Sequence, residues 1–205
     1  MSRLPDAAAL AKVRSVVVPV AGLFRLSRFP ATEPYFAVKG AYRFDDPAGL
    51  PDPTGNPGAA TFGVLYVAQD AETAFCESVI HGNSRFVAGS YEVSDAELGE
   101  RHLVTFTHRS RKRLTVADLT GDALKALGLN NDISAGSDYS IPQQWAAALH
   151  AAHPILDGIR YVSRQHNSAH CFALFDRSDV IRDSSFALPE DVIDGLCESF
   201  NVKRV

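Results

Sequence analysis

Apolar positions fall along this chain in short runs, and the sharpest change of period comes at residues 69–71. Residues 63–68, GVLYVA, are a continuous apolar run of strand length with no proline. From Ala71 the spacing turns helical, and Ala71, Ala74, Phe75, Ser78 and Val79 make one small and apolar stripe. Asp70 stands between the two, where its carboxylate can accept from the free backbone N–H of Thr73 and cap the helix. The stretch therefore reads as a buried strand that feeds a helix through one tight turn. Glu77 lies off the edge of the stripe, beside Thr73 and His81, so its carboxylate can line a cleft while its helix packs on a core. Tyr66 is on the strand, where a ring can be half buried with its hydroxyl at a boundary.

The same reading predicts strands over 16–20, 23–28, 86–93, 102–107, 158–163 and 171–176, and helices over 120–127, 141–152 and 189–200. Residues 1–13 read as a loose arm or short helix before a core over 14–205, a length that suits one domain. Alternation in 23–28 puts Phe24 and Leu26 on one side and Arg25 with Ser27 on the other. Residues 29–62 hold most of the prolines, and 49–58, GLPDPTGNPG, is the candidate mobile loop or lid. Beside it, GAYRF (40–44) sets Arg43 between two aromatics. Residues 109–113 form a basic patch, and 129–140 a polar loop. Pro142 falls in the first turn of its helix, which proline tolerates, and Trp145, Ala148, Leu149 and Ala152 give that helix a packing face. Strands and helices alternate without a regular βαβ rhythm, which predicts an α+β fold of mixed sheets with flanking helices.

Composition narrows the function classes. A net charge of -4 argues against a general nucleic-acid binder, which would carry a dominant basic field. Three widely spaced cysteines, Cys76, Cys171 and Cys197, read as reduced and mostly buried thiols in a cytoplasmic protein. The N-terminus does not read as a signal peptide, because Asp6, Lys12 and Arg14 interrupt it. No segment approaches the roughly 20 apolar residues of a membrane span. His150 with His153, and His166 with His170 before Cys171, have spacings a metal could use, but no carboxylate completes a known motif, so no metal is expected.

Arg25, Arg43, Tyr66, Glu77 and Ser163 are ordinary residues one by one. Together they are two guanidinium groups, a carboxylate, a phenol and a hydroxyl. Guanidinium groups grip phosphates bidentately. A carboxylate with no basic partner in its motif suits a developing positive charge, or an incoming hydroxyl, better than a metal. The set fits a diphosphate-containing substrate whose glycosidic bond breaks through a cation, as in a nucleotide-sugar or NAD.

Six segments carry a resemblance: LFRL (23–26), GAYRF (40–44), FGVLYVAQDAETAFCES (62–78), QQWAAALH (143–150), DGIRYVSR (157–164) and CFALF (171–175). In type and order they resemble the RES-domain family, over roughly residues 22–176. The resemblance implies an ADP-ribosyltransferase-like fold and an enzyme that cleaves NAD at the nicotinamide–ribose bond. ADP-ribose would pass to inorganic phosphate or water, with NAD as substrate and no further cofactor. It implies that Arg25 and Arg43 hold the diphosphate and that Tyr66 and Ser163 contact the nicotinamide–ribose end. Glu77 would stabilise the ribosyl cation or orient the nucleophile. It further implies a toxin paired with an antitoxin that carries a DNA-binding domain; a homo-oligomer is compatible with it, and a nucleic acid or membrane partner is not implied. Two rival readings are ADP-ribose transfer to a protein, and an inactive module that binds NAD or a partner.

Overall fold

The structure is a computed structural model that describes residues 3–205. Its strands are β1 (Ser15–Pro19), β2 (Phe24–Ser27), β3 (Val64–Ala68), β4 (Arg85–Val87), β5 (Ser90–Val93), β6 (His102–His108), β7 (Arg113–Leu119), β8 (Gly158–Val162), β9 (His170–Phe175), β10 (Val180–Ala187) and β11 (Val202–Arg204). Eight of them form one mixed sheet in the order β1-β7-β8-β9-β3-β2-β6-β10, and the remaining three form a small sheet, β11-β5-β4. In the large sheet β7 and β8 run parallel and the other neighbours antiparallel. This is the mixed α+β architecture that the irregular alternation predicts.

Both faces of the central strands are buried, which is why they read as continuous apolar runs. On β3, Val64 and Ala68 face one core while Leu65 and Val67 face the other. On β9, Cys171, Ala173 and Phe175 join the first core, and Phe172 and Leu174 the second. Val18 on β1 and Val180 on β10 come from the two edges of the sheet, yet they belong to the same second core, because the sheet curls on itself. The helices α1 (Ala7–Leu10), α2 (Ala71–Phe75), α3 (His81–Asn83), α4 (Asp95–Gly99), α5 (Gly121–Ala126), α6 (Asp132–Ala135), α7 (Ser140–Ala152) and α8 (Glu190–Ser199) flank it. Trp145 and Leu149 of α7 and Ile193 and Leu196 of α8 close the first core.

Several elements differ from the sequence reading. Strand β7 occupies residues that the periodicity left unassigned. Its Asp118 is tolerated in a central strand because Arg160 of β8 donates to it at 2.8 Å. The single strand expected over 86–93 is a hairpin, turned at Ala88 and Gly89, both at positive φ as a two-residue hairpin turn requires. Strand β10 is a polar edge strand that pairs with β6 around a bulge between Arg182 and Ser184, so it shows no clean alternation. Strand β11 follows the helix that was expected to close the chain. Ala152 is exposed and does not pack. The N-terminal arm is docked through Ala9, through Trp145 Nε1, which donates to the Arg3 carbonyl at 2.7 Å, and through His153 against the Leu10 carbonyl; residues 1 and 2 of that arm lie outside the described residues.

Candidate active site

Arg25, Arg43, Tyr66 and Glu77 line one cavity of about 540 Å3, within the usual range for small-molecule sites, roughly 300–1,000 Å3. Ser163 is not part of its wall, yet it touches Glu77. The five residues singled out in the sequence therefore gather at one place.

Glu77 arrives there through the cap and an irregular turn. Asp70 accepts from the Thr73 N–H at 2.7 Å and starts α2. The helix then widens into a π-helical segment, Cys76–Ile80, before α3. Such segments insert one residue into a turn and are frequent at functional sites. Glu77, Ser78 and His81 of this stretch line the cavity. One carboxylate oxygen, Oε1, accepts from the Ser163 hydroxyl at 2.6 Å, from Arg164 N–H at 2.9 Å and from Gln165 N–H at 3.3 Å. Among the described residues the other, Oε2, has only His81 Nδ1, 3.8 Å away. Glu77 is thus clamped by one oxygen and offers the other. Ser163 is almost fully buried, and its Oγ accepts from the N–H groups of Gln165 and His166, which closes the turn after β8. Its hydroxyl is used up in orienting Glu77.

The arginines divide into two kinds. Arg43 is buried with one nitrogen donating to the Gly136 carbonyl at 2.9 Å, and its guanidinium lies 4.6 Å from the centre of the Tyr139 ring. Its backbone is fixed by Gln143 of α7, whose amide donates to the carbonyls of Gly40 and Tyr42. Gly40 sits at φ 66°, and a Cβ there would meet Leu50 at 2.8 Å, so the segment needs that glycine. Burial lowers the Arg43 pKa below its ordinary value. Arg164 lines the same cavity and is exposed. Among the described residues neither Arg43 nor Arg164 has a carboxylate within ion-pair distance. Arg25 differs, because its Nε donates to Glu33 at 2.9 Å and its NH1 to the Tyr66 carbonyl at 2.9 Å. The cavity therefore holds two guanidinium groups with no ion pair among the described residues, Arg43 and Arg164, and two that are already paired, Arg25 with Glu33 and Arg101 with Glu97.

Tyr66 presents its ring to the cavity and its hydroxyl to the protein. The hydroxyl donates to Asp45 Oδ1 at 2.9 Å and accepts from Phe44 N–H at 2.8 Å, and the ring meets Tyr42 edge-on at 5.7 Å. Burial, then the Asp45 carboxylate, pushes the Tyr66 pKa well up. Burial also raises Asp45.

Residues that the sequence reading did not single out complete the site: Asp45, Arg164, Tyr139, Ser134 and His81. Ser134 is 1% exposed on the cavity wall, and its hydroxyl has no partner among the described residues. Arg164 was legible in DGIRYVSR as the residue after Ser163, and His81 as the neighbour of Glu77 on its helix; Asp45, Ser134 and Tyr139 lie in segments with no periodic signal. One expectation, that of a lid, fails. No residue of the 49–62 loop lines the cavity, and its ends are tied down by Asp46, which accepts from Thr61 and Ala48, and by Asp52, which accepts from Thr54 and Asn56. Residues 109–113 stay out of the cavity as well, because Arg111 pairs bidentately with Asp157 and so straps β7 to the start of β8. The three cysteines are free and buried. His150 stacks on Phe62 at 4.3 Å, and no group of three metal-ligating side chains gathers among the described residues. None of the described helices is long and apolar enough to cross a membrane.

The family model described as RES domain matches residues 22–190 of the chain. Its span runs from just before β2 to the start of α8 and so contains every residue of the cavity named above. No curated protein matches the chain.

Proposed function

The chain belongs to the RES domain family, and on that premise we propose that it is an NAD-consuming enzyme that cleaves the nicotinamide–ribose bond. One observation carries the reading: Glu77 is held through Oε1 by three donors and turns Oε2 into a cavity where the guanidinium groups of Arg43 and Arg164 have no ion pair among the described residues. A cationic wall suits a diphosphate, and a fixed carboxylate oxygen suits the ribosyl cation that forms as the bond breaks.

The electron pair of the C1′–N bond leaves with nicotinamide, which departs neutral from its pyridinium form. The cation at C1′ is stabilised by Glu77 Oε2 and captured by an oxygen of inorganic phosphate or water. Phosphate gives ADP-ribose 1-phosphate; water gives ADP-ribose and a proton. His81, 3.8 Å from Oε2, is the group nearest to take that proton or to align the carboxylate. Arg43 and Arg164 hold the diphosphate. Tyr66 and Tyr42 supply an apolar wall against the nicotinamide ring. Ser163 acts through Glu77 as a positioning residue. A toxin role, blocked by a partner antitoxin, follows from the family alone.

The test is nicotinamide release from NAD by the partner-free chain, with and without inorganic phosphate and with Glu77→Gln as control. Release that requires Glu77 and phosphate makes it a phosphorylase. Release that requires Glu77 but not phosphate makes it a glycohydrolase. No release from the folded chain, or release undiminished in the variant, overturns the proposal.

A further inference from the structure

Phe29, Tyr35 and Tyr42 are exposed aromatics, at 71%, 45% and 55%, and all three line a second cavity of about 410 Å3. It shares Arg25, Tyr35, Tyr42, Asn83 and Arg101 with the first, so the two make one groove that runs from Glu77 to Phe29. Charge in this annex is matched group for group. Arg25 is bound to Glu33, whose side chain is 2% exposed. Arg28 and Arg101 share the carboxylate of Glu97, and Glu100 stands 3.7 Å from Arg28 Nε. Every guanidinium of the annex thus has a carboxylate, in contrast to Arg43 and Arg164.

We infer that the annex is the subsite for the adenosine end of the dinucleotide and that it rejects a 2′-phosphate, so the chain acts on NAD in preference to NADP. The inference deepens the NAD reading and rests on it. Exposed aromatic rings on a groove give a base a face to stack on, whatever its sequence of edge groups. A carboxylate beside ribose hydroxyls accepts their hydrogen bonds and repels a phosphate in their place, which is how dinucleotide-binding sheets separate the two cofactors. Here Glu33 is on the annex wall, its Oε1 held by Arg25 and its Oε2 by the Tyr35 N–H at 2.8 Å, so it acts on the ligand through its charge, by repelling a phosphate, and not as an acceptor for the ribose. A 2′-phosphate would have to compete with Glu33 or Glu97 for a guanidinium and weaken a buried ion pair, and that penalty falls only on the phosphorylated ligand.

Two experiments on the full chain test it. The first compares kcat/KM for nicotinamide release from NAD and NADP, in wild type and in Glu100→Gln, which alters an exposed side chain. The second measures binding of ADP-ribose and of 2′-phospho-ADP-ribose by calorimetry, in wild type and Phe29→Ala. We expect NAD to be favoured by at least about tenfold and the ratio to narrow in Glu100→Gln. ADP-ribose should bind correspondingly tighter than its 2′-phosphate, and Phe29→Ala should weaken ADP-ribose roughly tenfold while leaving ribose 5-phosphate unchanged. Equal use of NAD and NADP overturns the inference and leaves the NAD reading intact. If neither is cleaved, the proposed reaction fails, and the binding arm decides alone: preference for ADP-ribose sustains the annex, and equal or reversed affinity overturns it.

Discussion

Glu77 shows how one side chain can be both anchored and available. Its Oε1 is saturated by the Ser163 hydroxyl and two backbone N–H groups, and its Oε2 is left to the cavity. Glu77→Gln keeps the shape and removes the charge, so it should fold normally and release nicotinamide about 10²–10³-fold more slowly; a steady-state assay checks this. Ser163→Ala removes the clamp without touching the cavity wall. The rate constant should fall on the order of 10²-fold through misplacement of Glu77, KM should stay near its wild-type value, and Ser163→Thr should restore part of the rate. A purely structural serine would instead lower the thermal midpoint with unchanged kcat in the folded fraction. Arg164→Ala removes an exposed cation with no carboxylate partner among the described residues, so KM for NAD should rise while the melting temperature holds. Glu77 and Tyr66 were legible because period and capping fix where a strand ends and a helix begins. Arg164 stands beside Ser163 in the sequence, but that it lacks an ion pair among the described residues needed the structure, because nothing in sequence says which arginines already have carboxylates.

At the level of elements, aspartate carboxylates fix local turns, Asp70 beside the cavity and Asp52 in the loop away from it. Asp70 caps α2, and although burial raises its pKa, the hydrogen bonds from Thr73 and Gln69 more than offset this and leave it below the ordinary 3.8. Asp52 is brought to about 2 by the side chain of Thr54, then by Asn56. A carboxyl with a depressed folded pKa adds stability that is fully present above its unfolded pKa and is lost as pH falls through the folded one. Stability should therefore decline as pH drops below 3.8, toward 2. Asp70→Asn keeps a capping side chain but cannot titrate, so its urea midpoint between pH 5 and 2 should fall less steeply than that of wild type; parallel curves would refute the assignment. The cap itself was plain in the sequence. The π-helical turn over Cys76–Ile80 was not, since its residues fit the stripe of an ordinary helix; it is from this wider turn that Glu77 meets the turn after β8.

For the whole molecule, the curl of the large sheet decides what meets what. Strand β8 sits between parallel β7 and antiparallel β9, and its first residue, Gly158, is pressed against β9: a Cβ there would lie 2.4 Å from the Ala173 carbonyl oxygen. Gly158→Ala should cost about 1–3 kcal/mol through forced separation of the strands, which for a chain of this size lowers the melting temperature by roughly 2–4 °C per kcal/mol. Scanning calorimetry checks it, and a melting temperature equal to wild type would mean that β8 and β9 part without strain. Because Ser163 directly follows the far end of the same strand, the variant should also lose activity in its folded fraction.

By itself the sequence determined the α+β class, the strand–cap–helix unit that carries Tyr66 and Glu77, and the residue types of the site, because burial and capping act over a few neighbouring residues and leave a period behind. It did not determine β7, β10 or β11, whose polar or paired residues are stable only against strands far away in the chain, as Asp118 is against Arg160. Nor did it determine charge compensation. Glu33 lies eight residues from Arg25, and the carbonyl that holds Arg43 lies 93 residues away at Gly136. Which guanidinium groups stay free for a ligand is settled by such contacts, and tertiary structure alone makes them.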